Sequence, residues 1–318
     1  MQNFLDFEKP LLEIQTKIEE LRHLKDDSLN IANELTQLQE KFDKTLKEIY
    51  SELTPWQKVK VCRHQDRPKI GDFIKKIFDE YLTLSGDRLF SEDTAIEGGL
   101  AKFDGTSCMI IGHDKGKDID SRVKNNFGMA KPEGYRKAKR LMKLAEKFSL
   151  PVITFIDTPG AFPGVEAEDR GQSEAIASTI QLSLRLSSPI LSFIVGEGGS
   201  GGAIALATAN QVVMLEHAIY SVISPEGCAS ILWRNTEASD SAAESLKLTA
   251  QDLLDLKVID NVIKEPLGGA HRDVEEVCSS IKNTISSFIK NTSGVSADDI
   301  IKQKRAKFLK IGNEFLED

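Results

Sequence analysis

From Leu11 to Ile49, leucine and isoleucine recur every three or four residues, at Leu11, Ile14, Ile18 and Leu21 and again at Leu35, Leu38, Phe42, Leu46 and Ile49, with charged residues between them. Such spacing puts one apolar stripe along an α-helix. Lys25-Asp26-Asp27-Ser28 interrupts the stripe with capping-type residues, so the pattern predicts two antiparallel helices, a packing or oligomerisation element without chemistry. After Pro55 the pattern changes. Short apolar runs at Ser107–Gly112, Val152–Asp157, Ile190–Gly196, Val212–Leu215 and Ile219–Ile223 alternate with helical stretches. One of these, between the first two runs, has Tyr135, Ala138, Leu141, Met142, Ala145 and Phe148 on a single face, and Pro151 marks the next strand. Runs that are apolar on both faces predict parallel strands covered on both sides, hence an α/β core. Beyond Thr292 the chain reads as a linker and a terminal helix, Ala297 to Phe315, with Ile300, Ile301, Phe308, Leu309 and Ile311 available for packing. The expected division is a helical hairpin over 1–52, a core over 53–292 and a helical tail over 293–318.

Composition narrows the class. With 318 residues, 40% of them hydrophobic, the chain can bury the core of one large domain or two ordinary ones. No run approaches the roughly 18 apolar residues of a membrane span, and the opening MQNFLDFEKP has acids where a secretion signal has a basic segment, so a cytoplasmic enzyme without membrane attachment is expected. Cys62, Cys108, Cys228 and Cys278 are far apart and form no C-x-x-C pair, and the five histidines show no ligand spacing. Reduced thiols and no metal are the expectation. The net charge of -8 argues against a nucleic-acid platform. Basic residues nevertheless cluster from Lys115 to Lys143, including Arg136, Lys137, Lys139 and Arg140, either as a solvated helix face or as a site for a phosphate-bearing ligand or an acidic partner.

Two of the apolar runs end in glycine-rich turns that lead into helices, FIDTPGAFPGVEAEDRGQSEAIASTI and FIVGEGGSGGAIALATAN. Ligand sites in α/β proteins lie at the carboxyl ends of strands, where helix N-termini offer free N–H groups. Gly198-Gly199-Ser200-Gly201-Gly202 satisfies the G-x-S-x-G nucleophile elbow, with Asp240, Asp255 or Asp260 and His271 available as partners. Against that reading, Gly196-Glu197-Gly198-Gly199 stands between the strand and the serine. A phosphate loop fails because no lysine follows Gly202, and a dinucleotide site would have only Glu216 for its acid. An oxyanion hole needs only fixed N–H donors, which glycines supply by letting the backbone approach a developing negative charge, and it suits a chain poor in histidine.

The segments NFGMAKPEGYRKAKRLMKLAEKF, PVITFIDTPGAFPGVEAEDRGQSEAIA, GEGGSGGAIAL and YSVISPEGCASILWR, with RHQDRP before them and PLGGAH after, closely resemble the carboxyltransferase α-subunit family of bacterial acetyl-CoA carboxylase, across nearly the whole chain. The resemblance implies a crotonase (ClpP-like) spiral of ββα units. It also implies transfer of the carboxyl group from carboxybiotin, borne by the biotin carboxyl carrier protein, to acetyl-CoA, giving malonyl-CoA for fatty-acid synthesis. The implied partners are a zinc-ribbon β subunit in an α2β2 assembly, the carrier protein, and biotin carboxylase in the full complex. By the same resemblance the backbone amides of Gly201 and Gly202 stabilise the charge on the ureido oxygen, Gly198 and Gly199 belong to the cofactor-binding turn, and Gly160 and Ala161 stand at the facing helix entry; no protein base is required. Glu197 is expected either to orient the loop through backbone N–H groups or to be a surface residue. Ser224-Pro225-Glu226-Gly227-Cys228 is expected to shape the pocket wall or simply to start a helix, with Cys228 and Trp233 as packing residues. A carboxyltransferase of another biotin enzyme is the alternative, and a serine hydrolase using Ser200 a more distant one.

Overall fold

A computed structural model of the chain describes residues 3–23 and 29–313. Its centre is one sheet of eight strands: β1 (Glu80–Thr83), β2 (Ile96–Phe103), β3 (Thr106–His113), β4 (Val152–Thr158), β5 (Ile190–Gly199), β6 (Gln211–Leu215), β7 (Ile219–Ser221) and β8 (Asn261–Ile263). The spatial order is β1-β2-β3-β4-β5-β6-β8, and β7 pairs with the far end of β5, beyond the residues that pair with β6. The five apolar runs are all strands. The expectation of a parallel sheet needs correction, because β1, β2 and β3 run antiparallel and only the pairs from β3 onward are parallel. The reason is the two-residue turn Asp104-Gly105, both at positive φ (45° and 78°), which folds β2 directly back on β3. An Asp-Gly pair with this twist is a favoured hairpin connection.

Every residue of β4 is buried. Gly98 and Gly112 show how closely the faces are packed: a Cβ at Gly98 would overlap the Leu141 side chain, and one at Gly112 would lie 2.6 Å from Ile70 Cδ1. The two glycines occupy opposite faces of the β2–β3 ladder, so the helix Pro132–Lys147 covers one face and the helix Ile70–Ile77 the other. Phe73 of the latter helix stacks on Phe155 and Phe155 on Phe193, with centroid separations of 5.3 and 5.5 Å.

The N-terminal stripe forms the helices Lys9–His23 and Leu29–Ser51, which bury Leu11, Ile14 and Ile18 against Phe42, Leu46 and Tyr50. They are antiparallel: Glu8, at the start of the first, accepts a 3.0 Å hydrogen bond from the Tyr50 hydroxyl at the end of the second, and another of 3.0 Å from Arg272 of the core. The proposed break at Lys25–Ser28 lies outside the described residues, as does Phe315. The terminal helix spans Ala297–Lys310 and buries Ile300, whereas Leu309 faces solvent. Its Lys304 is fully buried and donates to the carbonyls of Ser183 (2.7 Å) and Leu186 (3.2 Å) at the end of the helix Gln172–Arg185, where a cation suits the helix dipole. Burial pushes that ammonium down to about 8.

Distant parts of the core meet at one buried ion pair. Arg67 sends Nη1 and Nη2 to Glu265 at 3.0 and 2.5 Å and Nε to the Val195 carbonyl at 2.7 Å, while Glu265 also accepts from the backbone N–H groups of His217 and Ala270. Burial alone would raise the Glu265 carboxyl, but Arg67 outweighs it and holds the group down to about 2. A carboxyl depressed on folding stabilises the protein above its unfolded value and stops doing so as pH falls through the folded one. Thermal melts of the wild type should therefore lose a component between about pH 4.5 and pH 2. Glu265→Gln should lack that component and be less stable at neutral pH by about 3–5 kcal/mol, the cost of stranding a buried charge; parallel melts of the two proteins across this range check both statements.

Candidate active site

The two glycine turns lie against each other at the carboxyl ends of β4 and β5. A Cβ on Gly202 would stand 2.8 Å from the carbonyl carbon of Gly160 and 3.0 Å from the nitrogen of Ala161, and one on Gly199 would overlap the Pro159 carbonyl and lie 2.9 Å from the Gly160 nitrogen. Backbone here touches backbone, and no side chain fits between. Gly160 is needed for a different reason: its φ of +154° is costly for other residues, and the Thr158 hydroxyl holds the turn by accepting from the Gly160 N–H (3.1 Å) and donating to its carbonyl (2.7 Å). Gly201 is neither crowded nor at positive φ; its Cβ would meet Ile176 methyl groups at an ordinary 3.6 Å. Gly198 packs beneath the Tyr220 ring.

The helix Ser200–Ala207 starts at this contact, with Gly199 as N-cap and no side-chain cap. The N–H groups of Ser200, Gly201 and Gly202 belong to its first turn and have no intrahelical acceptor, so they and the helix dipole favour negative charge at the turn. The structure thus brings Gly198, Gly199, Gly201, Gly202, Gly160 and Ala161 into one place. Beside Gly201 opens a cavity of about 380 Å³ with an apolar lining that includes Ile204, Tyr220, Val222, Leu246 and Val258.

Ser200 does have an elbow-like backbone, exposed and at φ +49°. No triad is assembled around it. Among the described residues no hydrogen bond joins Ser200 to a histidine; His271 instead stacks on His64 at 3.8 Å, and burial lowers it to about 3. Asp255 accepts from Gln251, and Asp260 from Lys307 and the Val212 N–H.

Directly behind the turns lies an ion cluster that the sequence did not announce. Asp157, the residue before Thr158, accepts from Lys115 (2.8 Å), Lys69 (3.4 Å) and the Glu197 N–H (3.0 Å). Glu197 accepts from Lys115 and from Arg63 Nε at 2.7 Å, and Arg63 reaches on to Glu226. Burial would raise the Asp157 carboxyl, but Lys115 and then Lys69 hold it well below the usual range, and Lys115 and Arg63 likewise lower Glu197 against its own burial. Both expectations for Glu197 need correction: it is neither a surface residue nor an acceptor of backbone N–H groups, but a buried strand residue bonded to two cationic side chains. His113, at the end of β3, is buried, and desolvation keeps it neutral by lowering it to about 3.

At the centre of the basic run, Arg136, Lys137 and Arg140 are engaged within the chain. Arg136 binds Asp87, Glu133 and the Arg170 carbonyl, Lys137 is buried against Glu92 and the Asp93 carbonyl, and Arg140 donates to the carbonyls of Leu84, Ser85 and Gly86. These residues tie down the loop after β1. Ser224 caps the helix Pro225–Leu232 through the Gly227 N–H (3.1 Å), with Pro225 at its first position. Cys228 is buried, but Trp233 is 45% exposed beside the exposed Ile231 and Leu232, so it does not act as a packing residue within this chain.

A family described as acetyl co-enzyme A carboxylase carboxyltransferase-like matches residues 4–312. The acetyl-coenzyme A carboxylase carboxyl transferase subunit alpha of Paramagnetospirillum magneticum is 55% identical over 311 residues, covering 98% of each chain, and that of Ruegeria pomeroyi is 54% identical over 318 residues, covering 99% of each. Among solved structures, a transcarboxylase 12S with methylmalonyl-coenzyme A and methylmalonic acid bound superposes with a TM-score of 0.57 at 19% identity over 70% of this chain and 42% of that one. A Pseudomonas malonate decarboxylase hetero-tetramer in complex with coenzyme A gives 0.56 at 14% identity over 70% and 87%. At these identities the likeness shows the fold, the crotonase-like α/β arrangement that the resemblance implied.

The unequal room at the glycines yields opposite expectations for one chemical change. Gly199→Ala should cost about 1–3 kcal/mol or more through backbone overlap, whereas Gly201→Ala, in a helix with space for a methyl group, should be neutral or stabilising by up to about 1 kcal/mol. Thermal melts of the two variants test this, and equal destabilisation would contradict the described contact.

Proposed function

The chain belongs to the acetyl co-enzyme A carboxylase carboxyltransferase-like family and is a carboxyltransferase; from that premise we propose that its paired glycine turns form the carboxybiotin half of a site that a zinc-ribbon β subunit completes. Together the two subunits move the carboxyl group from carboxybiotin on its carrier protein to acetyl-CoA, giving malonyl-CoA for fatty-acid synthesis. The observation that carries this reading is the pressing of Gly199 and Gly202 onto Pro159–Ala161, which fixes the amides of the helix entry without any side chain between them.

The residues present fit the biotin head group. The first-turn N–H groups of Gly201 and Gly202 suit its ureido oxygen, and the apolar cavity beside Gly201 suits its thioether ring. Carboxybiotin supplies a transferable carboxyl group on nitrogen. The chain's part is electrostatic: fixed donors stabilise charge as it collects on oxygen, an effect worth about 3 kcal/mol per donor in such sites. Thr158 keeps the facing turn in shape, and Glu197 and Asp157, neutralised by Arg63, Lys115 and Lys69, anchor the two strand ends. Val222, which lines the cavity beside Gly201, and Ile231, Leu232 and Trp233 are exposed apolar residues that a β subunit would cover. An α2β2 assembly, biotin carboxylase as a further partner and a cytoplasmic location complete the proposal; among the described residues no helix is long and apolar enough to cross a membrane.

The reverse reaction, malonyl-CoA-dependent carboxylation of biocytin, tests the reading with the chain alone and with a co-expressed β subunit. The chain alone should be silent and the complex active. In that complex Ser200→Ala should keep the wild-type rate within about threefold, while Gly201→Val, which fills the mouth of the cavity, should lose on the order of 100-fold, comparable to removing one oxyanion donor. Full activity of Gly201→Val in a complex of normal size on gel filtration would overturn the assignment.

A further inference from the structure

We infer a separate anion subsite on the other side of the Pro159 turn: the small cavity among Arg63, Lys69, Lys115, Arg122 and Phe127 takes one carboxylate or phosphate group. The cavity measures about 170 Å³ and is also lined by Pro159 and Glu197. That is below the size of sites for whole small molecules, so it suits a single charged group of a larger ligand, or a free anion.

Four elements each contribute one cation: Arg63 follows the helix Pro55–Cys62, Lys69 precedes Ile70–Ile77, Lys115 follows β3, and Arg122 lies in Ile119–Lys124. Three carboxylates, Asp157, Glu197 and Glu226, are paired with this group. Arg122, which also lines a neighbouring cleft with Asp66, Asp118 and Asp120, forms no ion pair among the described residues. The donors are also underused. Arg122 makes a single long hydrogen bond, 3.5 Å from Nη2 to the Gln65 carbonyl; Lys69 Nζ reaches Asp157 at 3.4 Å; and Arg63 directs only three of its five N–H groups to Glu197 and Glu226. An oxyanion between Arg122, Lys69 and Arg63 would use those hydrogens, and charge-assisted bonds of this kind are the strong ones.

Phe127 supplies the wall. Asn126, Phe127 and Gly128 all have positive φ (47°, 55° and 81°), and a Cβ at Gly128 would stand 2.8 Å from both the Asp157 carbonyl and Lys115 Cγ. This costly backbone run holds a half-exposed aromatic ring as one wall of the cavity. The site itself stands on this charge and geometry. Only the source of the anion rests on the carboxyltransferase reading: the carboxylate of malonyl-CoA, a phosphate of CoA, or a free ion.

The test uses the full chain in complex with its β subunit, at constant ionic strength. Isothermal titration with malonate and with inorganic phosphate should show saturable binding of at least one of them, weakened tenfold or more by Arg122→Gln and left unchanged by Lys143→Gln, an exposed charge elsewhere in the basic run. Lys69→Gln gives a second reading should the first variant misfold. A tenfold rise in KM for malonyl-CoA alone in Arg122→Gln assigns the group to the malonyl carboxylate, an equal rise for malonyl-CoA and acetyl-CoA assigns it to a CoA phosphate, and unchanged KM values with weakened ion binding assign it to a free anion. No saturable binding, or binding indifferent to both variants, overturns the inference while leaving transfer activity untouched; a complex without transfer activity overturns the reading of function and not the anion site.

Discussion

The architecture of the site depends on one contact between two stretches of main chain. Where Gly199 and Gly202 press on Pro159, Gly160 and Ala161, the ends of β4 and β5 are closer than any side chain would allow, and the helix Ser200–Ala207 is aimed by that approach. A backbone positioned by packing does not reorganise when charge appears in front of it, which is the property an electrostatic catalyst needs. Steric exclusion therefore sets the chemistry here.

Two carboxylates buried side by side behind such a contact would repel each other, and the arrangement works because cations are threaded between them. Lys115 bridges Asp157 and Glu197, Lys69 and Arg63 close the two ends, and Arg67 with Glu265 repeats the pattern deeper in the core. Charge is spent on holding strand ends. The same economy explains why Arg136, Lys137 and Arg140, at the centre of the basic run, point inward to loop carbonyls and acids.

Much of this was legible in the sequence where the signal is local. The five apolar runs are strands because buried parallel strands need apolar residues on both faces, and the leucine stripes are helices for the analogous reason. β2 escaped notice because Gly98 and Gly99 break its apolar pattern, and they are glycine because Leu141 and the Leu82 backbone occupy the space a side chain would need. β1 has mostly exposed residues and β8 has three in all, too little for a periodic signal. At the site, the glycines and the two turns could be picked out, but Arg63 and Glu197 are 134 positions apart, and only the folded chain places them together. Asp157 at the end of an otherwise apolar strand was the one local hint of the ion cluster.

Because the turn at Gly199–Gly202 works through main-chain atoms, the usual experimental question of which side chain matters has little purchase on it. A scan that trims each residue to alanine removes nothing from an amide N–H, and at a glycine it adds an atom, so what it reports there is room. Replacing single amides by esters through chemical ligation, which deletes a donor while keeping the outline of the chain, is the perturbation matched to a site built in this way.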